Sequence, residues 1–241
     1  MSLHMLKLEP EMARVARWAR DRGLLAPRGD DDFGYVLHAL LAAAFGTLAP
    51  KPFVLQQDPA RPAVLLAYSG HDAAALHAHL AAFAEPDAAE ALRPERMAGK
   101  AMPERFAAGT RLGFTLRARP VVRTDRDGNR KRVREVDAFL AAVADLPPDA
   151  GADRGAIYRD WLARHFAAGG AVAERLAVDA FRLSETRRRG RARALRAQRG
   201  PDASFSGVLR VTGPEAFAAL LARGVGRHRA FGYGMLLLRP A

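Results

Sequence analysis

The sequence predicts an α+β fold that consists of two tandem ferredoxin-like domains, each with the element order β-α-β-β-α-β and an antiparallel sheet. Three observations favour this fold. Short stretches of alternating apolar and polar residues, typical of half-buried strands, recur along the chain. Longer stretches with helical spacing of apolar residues separate them. The resulting order runs through the series twice, which places an N-terminal domain at residues 1–100 and a C-terminal domain at residues 101–241.

The N-terminal half begins with a strand and two helices. Residues 3–8 alternate apolar and polar side chains and predict the strand. Residues 10–23 carry apolar or small residues at helical spacing and predict a helix that is inserted into the series. Three aspartates at positions 30–32 are candidate caps for a helix at residues 33–45. The core stripe of that helix comprises Leu37, Leu40, Leu41 and Ala44.

The rest of the N-terminal half predicts paired strands, a helix and one more strand. Residues 52–57 and 63–68 have the composition of strands and are joined by a proline-containing turn. Residues 71–83 then have helical spacing. The pattern of residues 85–108 is less regular. We expect the fourth strand of the series near residues 92–97.

The C-terminal half begins with a long strand and two helical segments. Residues 111–124 predict the strand, with its alternate apolar residues on one face, and the chain turns at residues 127–129, Asp-Gly-Asn. Residues 136–143 and 157–166 have helical spacing. A breaker-rich stretch separates these two helical segments, so we expect two separate helices.

Two paired strands, a helix and a final strand complete the C-terminal series. Residues 176–183 and 205–211 alternate like paired strands. The arginine-rich segment at residues 187–199 is predicted to be the loop between them. A helix at residues 213–222 opens with Gly-Pro, and residues 231–238 predict the last strand.

Positive charge is abundant and clustered. The chain has 38 Lys and Arg residues against 26 Asp and Glu residues, which gives a formal net charge of +12. Residues 187–199 contain seven arginines and no acidic residue, and residues 117–134 contain eight basic residues against two aspartates. Such clusters attract phosphate chains through counterion release, and arginine adds bidentate phosphate contacts. We therefore expect a nucleic-acid partner; the alternative is a solvated charge run without a partner.

The composition also excludes several classes of site. The 241 residues include no cysteine, which excludes disulfides, thiolate catalysis and cysteine-ligated metals. A metal would need histidines and carboxylates, and we expect neither a metal nor a cofactor. No run approaches the ~20 apolar residues that a spanning helix needs, and residues 1–10 lack the layout of a signal peptide. We expect a cytoplasmic protein without a membrane partner.

The segment at residues 224–234, Gly-Val-Gly-Arg-His-Arg-Ala-Phe-Gly-Tyr-Gly, is the most specific stretch of the sequence. Dinucleotide and P-loop motifs place a strand before the glycines and a helix after them, whereas here the predicted helix precedes and the strand follows. The segment instead predicts a loop whose backbone approaches another chain closely and offers positive charge. The alternative is a glycine-rich helix stop before a core strand. We call residues 224–234 the glycine-rich loop.

Three blocks of the sequence resemble the Cas6e (CasE, Cse3) family. They are residues 217–240 preceded by residues 205–209, residues 112–120 followed by residues 127–132, and residues 35–38. The family comprises CRISPR precursor-RNA endoribonucleases of type I-E systems, with two ferredoxin-like domains, which cut each repeat at the base of its hairpin without a metal. The resemblance implies this fold and activity. It also implies two kinds of partner, the CRISPR repeat RNA hairpin and other subunits of a type I-E surveillance complex.

The resemblance identifies a candidate catalytic pair. Family members carry a tyrosine and a histidine three residues apart on a first-domain helix, and Tyr35 and His38 match that pair. Residues at this spacing are neighbours on a helix, so one phosphate can meet both side chains. In the family, the 2′-hydroxyl of the RNA attacks the adjacent phosphorus and leaves a 2′,3′-cyclic phosphate and a 5′-hydroxyl. We expect general acid–base catalysis from His38, with Tyr35 orienting or sharing that task.

Two alternatives stay open for this reading. His38 could be a half-buried histidine with no catalytic role, and the protein could be a noncatalytic subunit that only holds a processed guide RNA. In the catalytic reading, the arginine-rich segment would lie along the RNA stem and the glycine-rich loop would support the RNA backbone near the cut. The predicted RNA-binding residues are Arg117, Arg119, Arg130, Lys131, Arg132, Arg187, Arg188, Arg189, Arg191, Arg193, Gly224, Gly226, Arg227, His228, Arg229, Gly232 and Gly234.

Overall fold

The computed structural model describes residues 2–25, 33–124, 134–147, 151–189 and 195–241, with the backbone alone at residues 186–189 and 195–197. Two four-stranded sheets organise these residues, and every strand pairing in them is antiparallel. None of the described helices has the length and apolar character that would let it cross a membrane.

The first sheet has the spatial order β2-β3-β1-β4. Its central strand β1 (His4–Leu8) is flanked by β3 (Arg61–Ser69) and β4 (Ala98–Ala101), and β2 (Phe53–Asp58) forms the other edge. Leu6 and Leu8 of β1 are fully buried, which puts the core on the face that the helices cover. The two paired strands predicted at residues 52–57 and 63–68 are confirmed as β2 and β3.

Four helices accompany the first sheet. They are α1 (Met12–Asp21), α2 (Phe33–Phe45), α3 (Ala73–Phe83) and α4 (Pro86–Leu92). The inserted helix and the helix at residues 33–45 are confirmed, the second with unchanged bounds. The stripe of α2 that was predicted to face the core is at most 1% exposed at each position, Leu37, Leu40, Leu41 and Ala44.

The second sheet repeats the same arrangement. Its spatial order is β10-β5-β9-β8. In chain order, the first strand of this sheet pairs with the third and the fourth strands, as in the first sheet. These strands are β5 (Arg111–Ala118), β8 (Ala171–Arg189), β9 (Leu195–Val211) and β10 (Leu236–Pro240). Helices α6 (Arg154–Ala168) and α7 (Pro214–Arg223) bury their aromatic residues Trp161, Phe166 and Phe217 against it. The α+β fold of two ferredoxin-like units is therefore confirmed.

Some predicted elements were wrong in position. The fourth strand of the first sheet begins at Ala98, because residues 86–92 form α4 and Arg93, with φ 54°, and Pro94 interrupt the chain before it. The strand predicted at residues 111–124 is broken at Pro120, which has no N–H to donate to a ladder. Its second part is β6 (Val121–Thr124).

Strand β6 pairs outside both main sheets. Its partner is β7 (Arg134–Asp137), and the two form a separate ribbon. Residues 136–137 therefore belong to β7, and helix α5 (Ala138–Val143) begins only after Asp137 caps it with a hydrogen bond to the backbone N–H of Phe139. The turn predicted at residues 127–129 lies outside the described residues.

Two further elements near the C-terminus differ from the prediction. The arginine-rich segment is not wholly a loop, because the backbone of residues 187–189 continues β8 and that of residues 195–199 belongs to β9. The last strand begins at Leu236 and not at Phe231, which ends a short 3-10 helix at Arg229–Phe231. We keep the division into residues 1–100 and 101–241 as a proposal.

A buried hydrogen bond joins the two sheets. The Tyr68 hydroxyl on β3 donates to the Leu236 carbonyl oxygen on β10 over 2.9 Å. Burial raises the pKa of Tyr68, so the hydroxyl keeps its proton and its donor role. This bond fixes strand β3 of the first sheet beside the start of the last strand, next to the glycine-rich loop.

Candidate functional site

The candidate catalytic pair lies on one face of α2. The ring centroids of Tyr35 and His38 are 6.4 Å apart. Tyr35 is 9% exposed, and His38 is half-buried. Because the rest of α2 is held by its buried leucines, the two rings have a fixed position at the edge of the core.

The structure brings this pair to the glycine-rich loop. The Phe231 ring stacks on Tyr35 with centroids 6.2 Å apart and meets His38 edge-on at 5.0 Å. Phe231 therefore closes a cluster of three rings that joins the two halves of the chain. Sequence reasoning missed this role of Phe231; its one signal was an aromatic residue inside a glycine-rich basic segment.

Backbone contacts fix the shape of the glycine-rich loop. The Val225 N–H donates to the Gly234 carbonyl oxygen over 2.8 Å, and the Gly234 N–H donates to the Arg117 carbonyl oxygen over 2.7 Å. Gly234 has φ +78°, and a Cβ atom there would lie 2.3 Å from the Val225 carbonyl oxygen. The loop thus needs glycine at this position for both its conformation and its close approach.

The basic residues of the loop are held by specific partners. Arg227 Nε and His228 Nε2 both donate to the Glu135 carboxylate on β7, the second over 2.7 Å. Burial alone would raise the pKa of Glu135, but these two partners outweigh it and lower the pKa below its usual value. Arg229 donates from Nη1 to the Arg223 carbonyl oxygen over 2.8 Å. Glu135 was missed by sequence reasoning and carried no motif that could have identified it.

Arg117 and Arg119 are also engaged within the protein. Arg117 binds the buried Asp202 carboxylate through two hydrogen bonds of 2.9 and 2.7 Å, and Arg182 adds a third of 2.9 Å. Burial would raise the pKa of Asp202, but the two guanidinium groups lower it overall. Arg119 is 2% exposed and reaches the Ser184 carbonyl oxygen from Nη2. Direct RNA contact by Arg117 and Arg119 stays a prediction.

The electrostatic environment of His38 favours its neutral form. Burial lowers the pKa of His38 below its usual value of 6.5, and the positive charge of Lys51 lowers it further. At pH 7 the imidazole is therefore predominantly neutral and can accept a proton. Lys51 was not among the predicted site residues.

Two depressions meet at Phe231. One is a cleft lined by Phe33, Phe53 and Arg182 among others, and the other is a groove lined by Lys51 and the basic residues of the glycine-rich loop. We call the second depression the basic groove. Phe231 lines both, so a phosphate chain that follows the basic groove would pass close to the ring cluster.

Several predicted RNA-binding residues cannot be placed. Arg130, Lys131, Arg132, Arg191 and Arg193 lie outside the described residues. Only the backbone is described for Arg187, Arg188 and Arg189, in the long strand β8. Their contribution stays a prediction. Among the described residues, no group of three or more histidine or carboxylate side chains could hold a metal ion.

Comparisons with known proteins identify one family and several solved structures of similar fold. The family model described as CRISPR associated protein matches residues 3–240. A comparison with curated proteins gives no match. Thermus thermophilus Cse3 bound to an RNA representing a pre-cleavage complex has a similar fold, with a TM-score of 0.62, 23% identity and full coverage of both chains.

Two other solved structures are similar over the same extent. CRISPR endoribonuclease Cse3 bound to a 19-nucleotide RNA has a TM-score of 0.65 and 22% identity, with both chains fully covered. A chain of a CRISPR RNA-guided surveillance complex has a TM-score of 0.54 and 16% identity, with 99% of this chain and 100% of that chain covered. The match of the family model, with the Cse3 fold over the whole chain, places this protein in the CRISPR-associated protein family.

Proposed function

We propose that this protein is a metal-independent endoribonuclease that cleaves CRISPR precursor RNA at the base of the repeat hairpin. The observation that carries the proposal is the ring contact between His38 and Phe231 at 5.0 Å, because Phe231 lines the basic groove and the imidazole therefore lies one ring away from it. The site thus combines a proton acceptor with positive charge.

The chemistry needs no protein nucleophile. The 2′-hydroxyl of one ribose attacks the adjacent phosphorus, His38 accepts the hydroxyl proton, and the bond from phosphorus to the 5′-oxygen of the next nucleotide breaks. That oxygen takes up a proton from water and leaves as a 5′-hydroxyl, while the other fragment ends in a 2′,3′-cyclic phosphate. Tyr35 orients the reacting group or shares the proton transfer.

The comparisons support this proposal at the level of fold and family. Cse3 of similar fold is described as a CRISPR endoribonuclease and is bound to RNA in its structures. A surveillance complex contains another chain of this fold. By extension, the protein would act in the cytoplasm, bind the repeat hairpin, and retain its product within a type I-E surveillance complex.

Cleavage in the presence of a chelator tests the proposed function. We expect purified protein, incubated with the repeat RNA of its own CRISPR array in EDTA, to release a product with a 2′,3′-cyclic phosphate and another with a 5′-hydroxyl. Treatment of the first product with a phosphatase that requires an open monoester should leave its end unchanged. Stem binding without any cut would contradict the proposal and favour a noncatalytic guide-holding subunit.

The arginine-rich segment has its own expected result. Replacement of Arg187, Arg188 and Arg189 by alanine should weaken RNA affinity and reduce the slope of log K against log salt by roughly 0.7–0.9 per lost phosphate contact. A salt series of binding measurements gives the slope. The matched control replaces three exposed arginines of α1, Arg14, Arg17 and Arg20, and lowers the net charge equally. Equal slopes in the two triple variants would contradict RNA binding by the segment and favour a solvated charge run without a partner.

A further inference from the structure

Lys51 occupies a rigid position between the two halves of the chain. Its backbone N–H donates to the Tyr68 carbonyl oxygen, and the Tyr68 N–H donates back to the Pro52 carbonyl oxygen, both over 3.0 Å. The Tyr68 hydroxyl is in turn bonded to Leu236. Pro52 also packs against Gly224, since a Cβ atom on that glycine would lie 2.9 Å from Pro52 Cγ. The backbone of Lys51 is therefore fixed relative to the glycine-rich loop.

The side chain of Lys51 is exposed and lines the basic groove together with Arg229 and Phe231. No hydrogen bond or ion pair engages its ammonium group among the residues that the structure describes. Arg117 and Arg227, by contrast, are neutralised by the Asp202 and Glu135 carboxylates. The Lys51 charge is thus left available to an anion in the groove.

The Lys51 charge also acts on His38. His38 is faced by Lys51 from the segment before β2, by Tyr35 from its own helix, and across Phe231 by His228 with its partner Glu135. Among these neighbours, Lys51 supplies the positive charge that lowers the pKa of the imidazole. Lys51 and Phe231 line the same groove, and the Phe231 ring lies 5.0 Å from the imidazole, so an anion bound in the groove beside Phe231 would be close to both His38 and the Lys51 ammonium.

We propose that Lys51 is a second catalytic residue, whose ammonium group contacts the non-bridging oxygens of the scissile phosphate while His38 accepts the proton of the 2′-hydroxyl. This inference rests on the proposed ribonuclease function and deepens it. Negative charge grows on those oxygens as the 2′-oxygen adds to phosphorus, and a fixed cation stabilises that charge more than it stabilises the starting phosphate. A lysine serves as a compact point charge, which suits a phosphate that changes its geometry.

Single-turnover cleavage at saturating RNA tests the role of Lys51. We expect Lys51→Gln to reduce the cleavage rate by about 10²-fold with stem affinity nearly unchanged, and Lys51→Arg to recover part of the rate because it keeps the charge. The matched control is Lys100→Gln, an exposed lysine on the edge strand β4. It removes the same charge from the surface and should cleave like the wild type.

A second readout separates a catalytic charge from a structural role. Because the Lys51 charge disfavours the imidazolium form, its removal should raise the pKa of His38. In Lys51→Gln, the acidic limb of the pH–rate profile should move to higher pH. The midpoint of the pH titration of the His38 imidazole resonance, followed by NMR, should move in the same direction. Neither should move in Lys51→Arg or Lys100→Gln.

The outcomes distinguish the two proposals. A wild-type protein that fails to cut the RNA overturns the ribonuclease function and the role of Lys51 with it. A wild type that cuts, together with a Lys51→Gln variant that cuts at the same rate at saturation, overturns the role of Lys51 alone. A third outcome also overturns the role of Lys51. It is a loss of cleavage rate in Lys51→Gln that Lys51→Arg does not recover, together with an unchanged titration midpoint of the His38 resonance.

Discussion

Replacement of His38 by alanine is expected to lower the rate of RNA cleavage by about 10²–10⁴-fold, because the reaction loses the group that accepts the proton of the 2′-hydroxyl. Stem affinity should stay close to that of the wild type, since the basic groove and the arginine-rich segment are unchanged. Single-turnover cleavage and direct binding with the same RNA measure the two effects. The matched control is His77→Ala, which removes an exposed histidine from α3.

The same residue sets an expected pH dependence. The pKa of His38 in the free protein lies below 6.5, and the proton acceptor must be neutral. The rate constant kcat/KM should therefore be at its plateau near pH 7 and fall as the pH is lowered through that pKa. A His38→Ala variant that cuts at the wild-type rate, or a profile without an acidic limb, would reassign the acid–base role.

Substitution of Gly234 by alanine is expected to damage both the loop and the site. The new Cβ atom would lie 2.3 Å from the Val225 carbonyl oxygen, and the residue would keep a φ of +78°. Since the nearest atom is backbone and not the end of a flexible side chain, the backbone must move, which weakens the hydrogen bond to Arg117 and displaces Phe231 from His38. We expect unfolding to become easier by about 1–3 kcal/mol and cleavage to fall at least ~10-fold.

A second glycine provides the control for Gly234. Gly109 has φ +85°, but nothing lies within 4 Å of the Cβ atom that an alanine would place there. Gly109→Ala therefore reports the cost of positive φ alone, and its cleavage rate should match the wild type. Urea unfolding and single-turnover cleavage of both variants give the comparison. Equal cleavage by the two variants would show that the loop does not position the ring cluster.

The fold was largely predictable where local signals and burial agree. Helix α2 was predicted with its observed bounds because its leucine stripe repeats at helical spacing and matches its buried face. The strand at residues 111–124 was predicted as continuous because alternation does not reveal which partner each residue pairs with. Pro120 breaks it, and β6 finds its partner β7. The extent of β8 and β9 was underestimated because an arginine-rich segment lacks the alternation of apolar and polar residues that predicts paired strands.

The candidate site was predictable only in part. Tyr35, His38 and the glycine-rich loop follow from a family resemblance and from motifs that are local in sequence. Glu135, Asp202 and Lys51 carry no local signal, because their roles arise from partners that only the fold brings near. A lone lysine before a strand is indistinguishable in sequence from any solvated lysine.

The aromatic contact between Phe231 and helix α2 joins residues that are synthesised far apart in time. His38 lies on α2, whereas the ring that contacts it lies between α7 and β10 and is therefore synthesised long after His38. A nascent chain that has not yet produced Phe231 carries an imidazole without its aromatic neighbour. The ring cluster is thus completed only after Phe231 has been synthesised, and translation products that stop before Phe231 lack it.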